Sequence, residues 1–402
     1  MKSFKNTADI LTRDSIESEI PLRYVHEGVA INKDGSFAIA IKVQFPYLTT
    51  YNPEERDGMY RTLCSAFDTL PDDCRLQIIF SQHSSPQQMQ ELKEKYAKRE
   101  TLVELSQYTH YDSLENKMKE GTLRYFEGLV CIIRDPVISP DKARSRMWET
   151  YKNSEEGKAA SKWEKLKRKI SYFFFSDDVA FKFTKDEWDD ALGKLCTQGD
   201  NMMTTLSEIN FKPEFLKEKE LSETLYRFWN PNTSNQGGKP VPISTIPRSF
   251  TDYFIRSDLD RKPEEAPPGY GVFRMDNCYH QILTLRIPGE VLTFCQWEQI
   301  LYYSGINNIR IVVNSRQGNR LKRIDKLKTS LAQMEGRLQA EPELQPALDE
   351  IYDEITELGA MRGKIWEVTL IVHVWDTSVE TLIANTERLT QQAERENGMQ
   401  LT

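Results

Sequence analysis

Between residues 36 and 45 apolar side chains occupy every second position: Phe37, Ile39, Ile41, Val43 and Phe45 alternate with small or polar residues. A period of two is the mark of a half-buried strand. Residues 24–31 form another apolar run just upstream, and Asp34-Gly35 lies between the two, so the pair predicts a hairpin. A helix is predicted next, with Asn52 as N-cap, Pro53 at its first position and Glu54 and Glu55 at its positive end. A strand over 75–81, a helix opening at Ser85-Pro86 and a strand over 129–133 complete the first series. The same order returns late in the chain: 271–275, a turn, 280–287, a helix over 293–304, a strand over 309–313, a longer helical excursion and a strand over 365–375. In that last strand Trp366, Val368, Leu370, Val372 and Val374 share one side. The pattern predicts an α+β fold made of two similar hairpin–helix–strand–helix–strand units.

The intervening stretch is helical and punctuated by loops. Residues 136–183 are charged and end in an aromatic run. Thr184 reads as the cap of a helix with Asp186 and Glu187 in its first turn and Trp188, Ala191, Leu192 and Leu195 on one face. A further helix over 213–230 presents Leu221, Leu225, Phe228 and Trp229, and a Pro/Gly/Ser/Asn-rich loop over 231–249 follows it. A proline-rich linker, 262–269, opens the second unit. Within that unit, 319–363 carry Leu321, Ile324, Leu327, Leu331, Met334 and Leu338 at three- and four-residue steps, with a break at Glu341-Pro342. So thin a stripe predicts a projecting helical hairpin. A last helix over 378–396 stops at Asn397-Gly398. The organisation read from these signals is a first α+β unit (1–135), a basic/aromatic insertion (136–183), a helical middle (184–260) and a second α+β unit (261–402) containing the hairpin.

Length and composition narrow the class. The 402 residues suit two domains, and 39% apolar with 10% aromatic residues suits a folded chain. A net charge of −8 opposes long-range attraction to nucleic acid or anionic lipid, so any such contact needs a local basic segment. The six cysteines include no C-x-x-C pair, and Cys64, Cys131 and Cys295 sit among apolar periodic residues. That pattern fits buried thiols in a reducing compartment rather than a disulfide framework. The N-terminus lacks the apolar core of a secretory signal, and no stretch approaches the roughly 20 apolar residues of a spanning helix. A cytoplasmic chain is expected.

The chemistry of a catalyst is sparse. No G-x-x-x-x-G-K-[ST] loop occurs, since the Gly-Lys pairs at Gly157, Gly193, Gly238 and Gly363 lack the upstream glycine and the following hydroxyl. His26, His83, His110, His280 and His373 show no metal spacing, although His280 and His373 fall in strands of the second unit that can meet in space. There is no G-x-S-x-G elbow. The acidic clusters (Asp186, Glu187, Asp189, Asp190; Asp349, Glu350, Asp353, Glu354) have the spacing of solvated helix faces. No enzymatic activity, cofactor or metal is expected. One segment stands apart: Lys158, Lys162, Lys165, Lys167, Arg168 and Lys169 crowd around Trp163, Leu166 and Ile170, and Tyr172, Phe173, Phe174 and Phe175 follow. Cations for anionic headgroups and rings for the interface make a membrane or partner surface. The plainer alternative is a basic solvent face running into a buried strand. The basic run Arg316, Arg320, Lys322, Arg323, Lys326, Lys328 is followed closely by acidic residues and reads as a solvated helix face.

Several stretches resemble one family. The opening E-G-V-A-I-N-K-D-G-S-F-A-I-A-I-K, the D-T-L-P helix end and the strand R-L-Q-I-I-F are similar to the N-terminal region of TraC-type conjugative-transfer ATPases, the large motors of type IV secretion systems. E-L-S-E-T-L-Y-R-F-W-N-P (220–231), Y-H-Q-I-L-T-L-R-I-P (279–288) and I-W-E-V-T-L-I-V-H-V-W (365–375) extend the resemblance over most of the chain. Members carry a RecA-like motor as a second half, and no position here matches its nucleotide-binding residues. The resemblance therefore implies the non-catalytic half: a module that docks the motor on the inner-membrane complex and other motor subunits and supports oligomerisation. It implies a place at the cytoplasmic face of the inner membrane; the basic/aromatic segment adds an expected peripheral membrane contact, and the net charge of −8 argues against direct nucleic-acid binding. The competing classes are an enzyme whose site joins His280, His373 and nearby carboxylates, and a nucleic-acid-binding adaptor, which the net charge opposes.

Overall fold

The alternation around Phe37 becomes the spine of an extended antiparallel sheet. The computed structural model describes residues 22–44, 51–83, 93–119, 125–136, 140–167, 184–235, 259–286, 305–337, 341–360, 364–397 and 400–401. The helices expected from Ser85-Pro86 and over 293–304 fall wholly or largely outside these residues, as does Cys295. The strands are β1 (Leu22–His26), β2 (Val29–Asn32), β3 (Phe37–Val43), β4 (Cys74–His83), β5 (Tyr125–Arg134), β6 (Glu214–Phe215), β7 (Phe273–Met275), β8 (Cys278–Arg286), β9 (Ile309–Gly318), β10 (Ile365–Asp376) and β11 (Gln400–Leu401). They join in one sheet of order β1-β2-β3-β5-β4-β9-β10-β8-β11, with β6 added to β3 and β7 to β8.

The first run expected as a single strand over 24–31 is instead a hairpin. The chain reverses at Glu27-Gly28, whose φ angles are 50° and 82°. Two adjacent positive-φ residues give the twist that a two-residue hairpin needs. Gly28 is also fixed by space, because a Cβ there would meet the Leu216 carbonyl oxygen at 3.0 Å. The next turn is held by Asp34, whose carboxylate accepts from the Ser36 amide at 2.9 Å and the Ser36 hydroxyl at 2.6 Å.

The two series of elements use the same strand order. The first contributes β2-β3-β5-β4 and the second β7-β8-β10-β9, so each runs hairpin, last strand, middle strand. Their middle strands pair with each other, from Arg75↔Arg316 to Gln82↔Ile309. The units are therefore fused through backbone hydrogen bonds as well as linked by a helical middle. Gln77 Nε2 donates to Asn314 Oδ1 at 2.7 Å across this seam, and Gln82 Nε2 donates to the Ile306 carbonyl at 2.6 Å.

The helices are α1 (Pro53–Thr69), α2 (Leu102–Lys119), α3 (Pro140–Asn153), α4 (Glu155–Ala159), α5 (residues 162–167), α6 (Lys185–Glu208), α7 (Glu218–Trp229), α8 (Pro231–Asn235), α9 (Arg320–Glu335), α10 (Gln345–Ala360) and α11 (Val379–Asn397). α1 and α6 begin with the expected caps: Asn52 with Glu55, and Thr184 with Glu187, each exchange side-chain and backbone hydrogen bonds. Both cover the face bearing Phe37, Ile39, Ile41 and Val43, burying Met59, Leu63, Ala191, Leu195 and Leu206 there. A fully buried side chain of this kind contributes about 1.5–3 kcal/mol. Gly199 lets α6 approach, since a Cβ on it would lie 2.5 Å from Ile39 Cδ1. α11 covers the same face of the second unit through Leu382, Leu389 and Ala393. On the opposite face α7 packs Leu221 and Tyr226 over Ala40, Ile79 and Leu129, and this cluster reaches Met275 and Val312 of the second unit. The segment expected as loop after Asn230 opens with the short α8, held by the Thr233 amide donating to Asp276 at 2.8 Å.

The helical hairpin between β9 and β10 is formed by α9 and α10. Their contact buries Leu327, Leu348 and Leu358, and Arg323 donates twice to Glu354 Oε1, at 2.8 and 2.9 Å. A 3-10 turn at Pro342–Leu344 makes the expected break.

Candidate functional site

The register of four strands sets His373, Arg310, Ser81 and Glu127 side by side on the α7 face of the sheet. The neighbouring row, Ile371, Val312, Ile79 and Leu129, is apolar. A polar row thus crosses the seam next to the core under α7. Arg310 donates through Nε to Ser81 Oγ at 3.1 Å, and its guanidinium carbon lies 4.0 Å from the Phe228 ring and 5.2 Å from the Trp375 ring. Cation–π contact of this kind replaces part of the lost hydration. Glu127, with a side chain 3% exposed, accepts from Arg227 Nη2 at 2.9 Å and has Lys42 Nζ at 3.8 Å. Burial pushes the Arg310 guanidinium down to about 10; the Glu127 carboxylate acts against that shift and the Arg227 charge adds to it. Sequence reasoning did not single out Arg310 or Glu127. Their one legible signal is a charged residue inside an otherwise apolar strand.

His280 and His373 do meet, with Nδ1 of His280 3.0 Å from Nε2 of His373. His280 Nε2 faces the Met275 carbonyl at 3.0 Å, so it carries the proton and donates. Nδ1 of His280 is then the acceptor, and Nε2–H of His373 donates to it. The rings continue a stack from Phe273 through His280 and His373 to Trp375, with successive centroids 5.1, 5.2 and 5.1 Å apart. Burial lowers the His280 pKa to about 4 and, with the His280 and Arg310 neighbours, lowers that of His373 well below its ordinary value. The pair is neutral and packed between rings, with no carboxylate hydrogen-bonded to either imidazole among the described residues. Nor do the described residues include a group of three or more His, Cys, Asp or Glu placed to hold a metal ion.

Acid should expose this pair. Unfolded histidines take up protons near pH 6.5, whereas folded His280 resists until about 4. The stability that the neutral pair contributes is therefore complete above pH 6.5 and is lost as pH falls toward 4. For His280 alone the loss comes to about 3 kcal/mol, and His373 adds in the same sense. Urea unfolding followed from pH 7.5 to 5 should show a steeper decline in wild type than in His280→Gln/His373→Gln. Parallel profiles would disprove the assignment.

The basic segment divides differently from expectation. Lys158 lies on α4, which ends at Ala159; a new helix starts because Ser161 accepts from the Glu164 amide at 3.3 Å while Glu164 accepts from the Ser161 amide at 2.7 Å. Lys162, Trp163, Lys165, Leu166 and Lys167 belong to α5, and Trp163 is 67% exposed. Arg168, Lys169, Ile170, Tyr172, Phe173, Phe174 and Phe175 lie outside the described residues. Among the described residues no helix is long and apolar enough to cross a membrane.

One acidic residue read as solvated has a structural task. Glu187 receives both Arg146 Nη atoms at 2.7 Å and caps α6, and these bonds hold its carboxyl down at about 2. The thiols also depart in part from expectation: Cys74 and Cys278 are the deeply buried pair, while Cys64 and Cys131 are intermediate. Burial pushes Cys74 and Cys278 up to about 12, which keeps both thiols protonated.

The fold is thus an α+β protein built on an antiparallel sheet. No family model matches the chain, and no curated protein matches it in sequence.

Proposed function

We propose that the chain is a non-catalytic assembly module of a type IV secretion or conjugative-transfer motor. In this role it links an ATPase to the inner-membrane complex, at the cytoplasmic face, and supports oligomerisation. The observation that carries the reading is the pairing of a fused, two-unit sheet with a charged helical hairpin that extends from the end of β9 and returns at the start of β10. α9 and α10 bury mainly against each other, and Leu321 and Tyr352 stay 70% and 48% exposed. A rigid platform with protruding helices suits docking. The basic α5 with its exposed Trp163 fits a peripheral membrane contact. The resemblance to the non-motor half of TraC-type ATPases supplies the identity of the assembly.

The test uses the hairpin. Gly318 stands opposite Ile365 in the β9–β10 ladder, so replacing residues 320–362 with Asn-Gly leaves a five-residue hairpin loop that rejoins the two strands. The excised protein should keep its thermal midpoint within a few degrees and lose co-purification with inner-membrane secretion components. Full partner capture by the excised protein would remove the hairpin from the interface. Failure of the intact chain to capture any such component would reject the assembly role.

A further inference from the structure

The seam between the units holds more positive charge than it balances. Lys42, Arg227 and Arg310 surround the single carboxylate of Glu127, which bonds to Arg227, lies near Lys42, and has no direct contact with Arg310. Among the described residues no carboxylate lies within ion-pair distance of Arg310. Arg310 is half-buried, and a cation partly withdrawn from water is normally paired.

Two further donors flank the same place without an acceptor. Among the described residues the indole N–H of Trp375, a residue only 3% exposed, has no hydrogen-bond acceptor, and neither has Nε of Arg227. Trp375 is the residue whose ring lies against the Arg310 guanidinium. Buried donors of this kind are usually satisfied. The rim is open, since the Arg227 and Lys42 side chains are 32% and 37% exposed. Excess cations, unused N–H groups and a solvent-facing rim together make an anion site rather than a catalytic one.

We infer that the seam binds a small oxyanion, phosphate or a carboxylate, held by Arg310, Arg227 and the Trp375 indole N–H between α7 and strands β9 and β10. The anion takes the second counter-charge position beside Glu127. It joins the helical middle to both sheet units, so binding tightens the contact between them.

Inorganic phosphate titrated into the full chain at low ionic strength tests this by calorimetry and thermal unfolding. Sodium chloride at matched ionic strength is the control. Saturable binding at one site is expected, with a midpoint that climbs with phosphate concentration and does not climb with chloride. Arg310→Gln and Arg227→Gln should each weaken binding by about tenfold or more, the loss expected for one hydrogen bond to a charged group. Trp375→Phe keeps the ring, removes only the donor and should weaken binding severalfold. If Arg310→Gln does not fold, Arg227→Gln and Trp375→Phe carry the test. The triple variant Lys162→Gln/Lys165→Gln/Lys167→Gln should bind as wild type does. Phosphate acting no differently from chloride, seam variants that bind normally, or binding lost only with the α5 lysines would each overturn the assignment.

Discussion

Replacing Glu127 with Gln is expected to lower the unfolding free energy by about 3 kcal/mol, the order seen when one member of a buried ion pair is removed. The substitution keeps the shape and one acceptor but deletes the only carboxylate, among the described residues, near Lys42, Arg227 and Arg310. Lys42 and Arg227 can turn toward water because each is about one-third exposed. Arg310 is half-buried and held against Ser81, Phe228 and Trp375, so it is less free to do so. Adding Arg227→Gln should therefore recover part of the loss, making the double variant more stable than the sum of the single changes predicts. Chemical unfolding of the four proteins gives the coupling directly. A cost under about 1 kcal/mol for Glu127→Gln, the size of an ordinary neutral hydrogen bond, would show that Glu127 does not hold the cluster.

What could be read from the chain follows from where each signal resides. Local signals were legible. Asn52-Pro53 and Thr184 with Glu187 mark helix starts because caps are satisfied within one turn of sequence. The alternation of Trp366, Val368, Leu370, Val372 and Val374 named a strand, but only its second half is buried as expected. Leu370, Val372 and Val374 are buried, whereas Val368 is exposed and Trp366 half-buried. Glu27-Gly28 was overlooked because the apolar run continues across it, although a glycine in such a run is itself a turn signal. Non-local pairing was not legible. The β4–β9 ladder joins residues more than 200 positions apart, as Arg310 and Ser81 are separated by 229, and no neighbouring residue encodes that register. The site depends on the register: the polar row exists only because His373, Arg310, Ser81 and Glu127 fall opposite one another. His280 and His373 were placed in strands of one unit, and their meeting was open to foresight. Their stacking between Phe273 and Trp375 was not, because it also depends on β7 folding back over β8.

The surface expectation with the largest effect concerns α5. Lys162, Trp163 and Lys167 are exposed on it, and Leu166 is 47% exposed, so cations and apolar groups are both presented to solvent. Such a helix should bind phosphatidylserine vesicles at low salt, each basic residue contributing about 1 kcal/mol near an anionic leaflet. Replacing Lys162, Lys165, Lys167 and Lys169 with Glu turns that attraction into repulsion. Loss of the four contacts alone should weaken vesicle co-sedimentation by roughly several hundredfold. High salt should reproduce the effect in wild type, because about 1 M salt shortens the reach of a surface charge to about 3 Å. Circular dichroism and thermal midpoint should hardly change, since exposed charges such as Lys162 and Lys167 contribute little to the fold. A Trp163→Ala variant should bind more weakly even at low salt, where the lysine charges still act, which separates ring insertion from charge. Wild-type protein that ignores anionic vesicles at low salt would rule out the membrane contact, leaving α5 as a basic solvent face.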